Sequence, residues 1–242
     1  MNQEPGIRNQ ESGAKTARPC GLNMIPNPVS RIQNYAPRTL LCLTWLLFAP
    51  GVFAGAQAYT PLSASVRAVL QRSVSDQAAP KLAFATQYEA DFWLNEMSRR
   101  LQKRLPDTEY RTGFLKSVHY EATRAGLDPE LVLSLIEVES NFNKYAVSSV
   151  GARGYMQVMP FWTKEIGTKE HNLFHLRINL RYGCTILRHY LDIEKGNLFR
   201  ALGRYNGSLG KPTYPNLVRA AWRKNWSLPR RTADNGSWRT GG

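Results

Sequence analysis

Asp128-Pro129-Glu130-Leu131-Val132-Leu133-Ser134-Leu135-Ile136-Glu137-Val138-Glu139-Ser140-Asn141-Phe142 is the stretch on which the fold turns. Asp128 is a good N-cap, because a short carboxylate can accept from the free N–H groups of a first turn, and Pro129 suits the first helical position. Leu131, Leu135, Val138 and Phe142 then recur at helical spacing. The two glutamates are two positions apart, so on a helix they point about 200° apart and cannot share a face. Glu139 lines up with Val132 and Ile136, and Glu137 with Glu130, Ser134 and Asn141. This predicts Glu137 on the wet face and Glu139 bordering the packed one. A carboxyl beside apolar side chains is harder to ionise, which suits a general acid near neutral pH. Periodicity alone does not separate this from an ordinary exposed acid near a helix end.

Outward from this helix the pattern stays helical. Phe92, Trp93, Met97 and Leu101 form one stripe, and Pro106-Asp107 marks a boundary. Tyr110, Phe114, Val118 and Ala122 form the next, ended by Gly126. Ser148 to Gly154 reads as a loop, and a short helix is expected from Tyr155, stopped or bent by Pro160. Residues 178–191, 198–205 and 214–226 complete the helical stretches. No alternating strand pattern of useful length appears, so the chain reads as mainly α. Residues 59–88 read as a linker or N-terminal extension with some helix around Leu62 to Leu70, 89–228 as the folded domain, and 229–242 as a flexible basic tail.

Four motifs accompany the helix. Glu139-Ser140-Asn141-Phe142 is followed by Gly154-Tyr155-Met156-Gln157-Val158-Met159-Pro160, by Asn179, Gly183 and Leu187 at four-residue spacing, and by Arg204-Tyr205-Asn206-Gly207. In this order and spacing they resemble the lytic transglycosylases of the soluble, goose-lysozyme-like type (the SLT family), over roughly residues 110–226. The resemblance implies a lysozyme-like helical domain acting on peptidoglycan, with no cofactor and no metal. It implies that Glu139 is the catalytic acid/base and that Tyr205 hydrogen-bonds and positions it. Ser148, nine residues after the glutamate, would assist at the sugar N-acetyl group. Gln157 and Met159 would line the glycan cleft, and Asn206 would hold the loop beside the tyrosine. The chain departs from the pattern at Arg204, where the family has alanine, at Gly207-Ser208, and at Tyr155, where it has leucine. Tyr155 is therefore expected at the cleft wall, where it would alter subsite preference.

Most glycosidases use two carboxylates. Glu165, Glu170, Asp192 and Glu194 fall in none of the motifs and read as solvated charges. The family's chemistry removes the need for a second acid, because the substrate's acetamido group stabilises the developing cation. The implied product is a 1,6-anhydro-N-acetylmuramic acid end, formed without water. A hydrolytic muramidase on the same fold and a non-catalytic wall-binding domain are the rival readings. Nucleic-acid binding is disfavoured, since the basic residues are spread over many helices without a nucleic-acid motif. A metal site built from His171 and His175 with Cys184 or His189 has no metal-enzyme spacing.

The N-terminal region bears on location. Residues 1–37 are polar and rich in Asn, Gln, Pro and Gly, without the pattern of a packed segment. Arg38 precedes an apolar run from Leu40 to Ala54 of about 15 residues, shorter than the about 20 of a membrane span. Small residues at Ala54, Ala56 and Ala58 complete a secretory signal, with cleavage expected near residues 56–58 and Met24 as a possible start. A retained anchor and a buried core helix are the alternatives. Cys42 lies inside the run rather than after it, which argues against lipidation. Cleavage would leave Cys184 as the one cysteine, hence no intramolecular disulfide. The net charge of +14 would become +11, with 27 basic and 16 acidic side chains remaining. Such a surface favours an anionic polymer such as a cell wall. The protein is thus expected to be exported and periplasmic, and nothing calls for more than a monomer.

Overall fold

The computed structural model describes residues 57–75, 78–228, 230–231 and 238–239. The expected leader and signal, with Cys20 and Cys42, lie outside the described residues apart from Gln57 and Ala58. The described residues form eight α-helices: α1 (Ala64–Val74), α2 (Gln87–Leu101), α3 (Thr108–Arg124), α4 (Pro129–Ser140), α5 (Phe161–Ile166), α6 (Leu176–Ile193), α7 (Leu198–Asn206) and α8 (Thr213–Ala221). A π-helical segment, Trp222–Trp226, continues α8. The mainly α expectation is met. In the tail, Arg230–Arg231 pairs antiparallel with Trp238–Arg239, a pairing not foreseen for a tail read as flexible.

The helix starts follow from their caps. Asp128 Oδ1 accepts from the N–H groups of Glu130 at 2.8 Å and Leu131 at 3.1 Å, with Pro129 in the first turn. Asp107, Thr86 and Ser63 cap α3, α2 and α1 in the same way. Helix α4 is more enclosed than an amphipathic stripe implies: every residue from Leu131 to Ile136 is buried. It packs against α3 on one side and against α8 with the π-helical segment on another. Full burial of each Leu or Ile here contributes roughly 1.5–3 kcal/mol, so this helix anchors the core.

Three expectations are corrected. Glu137 is not a wet-face acid: it accepts from Trp226 Nε1 at 2.5 Å, Asn225 Nδ2 at 3.0 Å and Arg104 Nη2 at 2.6 Å. Those donors come from elements that a helical wheel of α4 alone does not see. Second, the helix expected around Leu62 to Leu70 runs over Ala64–Val74 instead: as α1 it packs on α5 and α6 and buries Leu70 and Val74 in the core. Third, no helix starts at Tyr155. Bridges pair Arg153 with Val147 and with Val158, Gln157 takes a left-handed φ of 47°, and α5 begins only after Pro160. A left-handed residue stops helix propagation.

Helices α3 and α6 are joined by a buried ion pair. Arg181 Nη2 lies 2.9 Å from Glu121 Oε1, both side chains almost wholly buried, and Arg124 reaches the other carboxylate oxygen at 3.1 Å. His119 on α3 is buried between Phe84 and Trp93, with ring centroids at 4.4 and 5.0 Å. Burial pushes its pKa down to about 4. Among the described residues, no helix is long and apolar enough to cross a membrane.

Candidate active site

Glu139 sits in the last turn of α4 and is 1% exposed. The chain leaves α4 through two left-handed residues, Asn141 at φ 47° and Phe142 at φ 63°. This reversal is supported from outside. Arg104 Nε donates to Asn141 Oδ1 at 2.8 Å, and its guanidinium lies 5.5 Å from the Phe142 ring centre. Ser140 Oγ donates to the Tyr155 carbonyl at 2.8 Å, tying the end of α4 to the loop that follows.

That loop, residues 146–158, is clamped by α6. Asn179 Oδ1 accepts from Met156 N at 2.8 Å, while Nδ2 donates to the carbonyls of Arg153 and Leu173, both at 2.8 Å. Gly154, at φ 74°, lies so close to Asn179 and the Leu173 carbonyl that a Cβ there would overlap them. Gly183 does the same for Met156, whose sulfur occupies the space a side chain would need. The Asn179–Gly183 spacing in the sequence is therefore a docking surface for the loop: one residue to hold it and one to make room.

The tyrosine that donates to Glu139 in this structure is Tyr214, on α8. Its hydroxyl reaches Glu139 Oε1 at 2.6 Å. Burial, then the charge of Glu139 and this hydrogen bond, hold the Tyr214 phenol well above its ordinary pKa, so it stays a donor. Tyr205, expected to make that bond, donates to the Met156 carbonyl at 2.8 Å. It is fully buried near the same carboxylate: after burial, the Glu139 charge is the next cause that raises its pKa. One tyrosine thus holds the carboxylate and the other holds the loop facing it. Tyr214 carried no signal in the sequence, because an aromatic at a core spacing of a late helix reads as packing.

The remaining expected residues are placed as follows. Tyr155 is buried rather than on a cleft wall: its ring packs on Phe114 at 5.0 Å, and its hydroxyl pairs with that of Tyr110 at 2.6 Å. Gln157 is 1% exposed, and its amide nitrogen donates to the carbonyls of Gly154 at 2.9 Å and Ala146 at 3.1 Å. Its side chain therefore shapes the loop from within. Met159 and Ser148 are half-buried. Ser148 Oγ accepts from Ala152 N at 3.0 Å, which leaves its proton available to a partner. Asn206 is buried beside Tyr205, and its Nδ2 has no hydrogen-bond partner among the described residues. A buried amide donor without an acceptor is costly unless a ligand or water completes it.

A buried carboxylate held by a phenol at a helix end, opposite a clamped loop, defines a candidate acid/base site. Residues 116–216, which contain all of these groups except Arg104, Tyr110 and Phe114, match the transglycosylase SLT domain family. The chain is 35% identical over 88 residues to the transglycosylase of Enterobacteria phage PRD1, covering 36% of this chain and 32% of the phage protein. It is 51% identical over 47 residues to the membrane-bound lytic murein transglycosylase C of Actinobacillus pleuropneumoniae serotype 5b, covering 19% of this chain and 13% of that protein. A crystal structure of an inactive mutant of the lytic transglycosylase Slt from Pseudomonas aeruginosa aligns with 59% of this chain and 24% of that one, at 23% identity and a TM-score of 0.36. The chain thus spans about a third or less of the length of each of these relatives. The four motifs resemble the same family that residues 116–216 match.

Proposed function

We propose that this protein is a peptidoglycan lytic transglycosylase, cleaving the β-1,4 bond between N-acetylmuramic acid and N-acetylglucosamine without water. The observation that carries the reading is Glu139, buried at the end of α4 and bonded to Tyr214 within the residues that match the transglycosylase SLT domain family. In this reading Glu139 protonates the leaving glycosidic oxygen as the C1–O bond breaks. The substrate's own acetamido group stabilises the cation at C1, which dispenses with a second carboxylate. Glu139, now a carboxylate, takes the proton from the C6 hydroxyl, whose oxygen attacks C1 and closes a 1,6-anhydro ring. One residue serves both steps, and its proton is returned at the end.

The other residues take supporting roles. Tyr214 keeps the Glu139 carboxylate in one orientation, and Tyr205 positions the loop through the Met156 carbonyl. Ser148, Met159 and Asn206 meet the glycan, Ser148 with a free hydroxyl proton and Asn206 with a free amide N–H. Gln157 and Tyr155 act from beneath by fixing the loop. The enzyme acts as a monomer in the bacterial envelope after export, and its net charge of +11 once residues 1–58 are removed suits a wall bearing carboxylates.

A digest of purified peptidoglycan by the protein and by its Glu139→Gln variant, resolved by mass spectrometry, tests this. Muropeptides ending in 1,6-anhydro-N-acetylmuramic acid, absent with the variant, are the expected result. Products heavier by one water would make the protein a muramidase, and no products from either would favour a wall-binding domain.

A further inference from the structure

Glu139 is 1% exposed, yet a glycan strand has to reach it. Gln57 is itself 3% exposed and touches the loop next to the site from 100 residues away in sequence. Gln57 Oε1 accepts from Trp162 Nε1 at 3.0 Å and from the Met159 N–H at 3.2 Å. Its Nε2 donates to the Gln157 carbonyl at 3.3 Å. Both amide partners of this contact flank Val158 in the loop that Tyr205 supports. Tyr205 donates to the Met156 carbonyl of that loop, and its phenol is raised, after burial, by the Glu139 charge, so the contact lies on the loop whose tyrosine neighbours the acid. Just beyond, Tyr59 packs edge-on against Phe161 at 5.5 Å, which pins the chain leading away from the contact.

A carboxamide that accepts through C=O and donates through N–H has the same polar groups as an acetamido group. Every sugar of a peptidoglycan strand carries one. We propose that Gln57 is an intramolecular stand-in for a substrate acetamido group, occupying the subsite formed by Gln157 C=O, Met159 N–H and Trp162 Nε1 and closing the cleft until it is displaced. The inference rests on the transglycosylase reading above. It makes the N-terminal segment a competitive occupant: the glycan binds only to the fraction of molecules in which Gln57 has left, so its apparent affinity is reduced by that fraction. The expected signal-cleavage site, residues 56–58, falls on this contact, so cleavage after Ala58 would remove Gln57 and open the cleft on export.

The test is calorimetric titration of the full chain and of its Gln57→Ala variant with N,N′,N″-triacetylchitotriose, with the fully deacetylated trimer as control. The expected result is affinity about tenfold tighter in the variant for the acetylated trimer alone, as for a cleft open in about a tenth of molecules. Unchanged thermal unfolding would show that the variant still folds. Equal affinities in the two proteins overturn the occupant and leave the transglycosylase reading standing. Equal tightening for both trimers also overturns it, because the subsite would then not read the acetamide. Binding by neither protein overturns it together with a glycan cleft, and the peptidoglycan digest decides separately whether the catalytic reading survives.

Discussion

At the scale of single residues, the two tyrosines near Glu139 separate into different jobs. Tyr214 donates to the carboxylate, and Tyr205 donates to a backbone carbonyl of the loop. Tyr214→Phe is therefore expected to lower kcat by about 10–100-fold with little change in KM, since positioning of the acid is lost while the cleft walls stay. Tyr205→Phe leaves the buried Met156 carbonyl unpaired and is expected to destabilise the fold by about 1–3 kcal/mol. Steady-state kinetics beside chemical denaturation distinguishes them; a larger kcat loss for Tyr205→Phe would reverse the assignment. Glu139 itself was legible because its spacing from Val132 and Ile136 put it on the packed side and its neighbours formed a motif. Tyr214 was not, because its partner is 75 residues away and nothing local marks a phenol that bonds an acid. Gln57 was illegible for the same reason.

At the scale of elements, the helices read well where a cap and a 3.6-residue stripe coincided, as at Asp128 and Asp107. The reading failed at residues 155–158, where Gln157, just after the left-handed Gly154, is itself left-handed. Only the tertiary clamp by Asn179 makes that backbone favourable. Gly183→Ala puts a methyl into the space of Met156. It is expected to cost about 1–3 kcal/mol and to lower activity by displacing the loop, seen as a lower Tm and a lower kcat/KM together. The α3–α6 pair offers a sharper contrast. Arg181→Met leaves the Glu121 carboxylate buried without its main partner and should cost about 3–5 kcal/mol, whereas the double variant with Glu121→Leu should recover most of it. Urea denaturation of both decides; a double variant no more stable than the single one would argue against a charge effect.

At the scale of the whole molecule, acid stability is set in part by His119. Its folded pKa of about 4 lies below its ordinary value of 6.5, so the unfolded chain binds the extra proton first. Its contribution is complete above about pH 6.5 and is lost as pH falls towards 4, by roughly 3 kcal/mol at most. His119→Gln should flatten the fall in Tm over that window, and an unchanged slope would place the acid sensitivity elsewhere. The positive charge makes a second global expectation. Degradation of intact sacculi should drop severalfold from roughly 0.01 M to roughly 1 M salt, as the screening length shrinks from about 30 to about 3 Å; a turbidity assay that showed no change would remove charge from the encounter. Mainly helical architecture and the order of its elements were readable from patterning, but the packing of α1 was not, because Leu70 and Val74 are too few to form a stripe. Whether the assembled site excludes water is settled by digesting peptidoglycan in ¹⁸O-enriched water and weighing the new muramic acid ends. Anhydro ends free of ¹⁸O are the expected result, and reducing ends that carry ¹⁸O would contradict the non-hydrolytic mechanism assigned to Glu139.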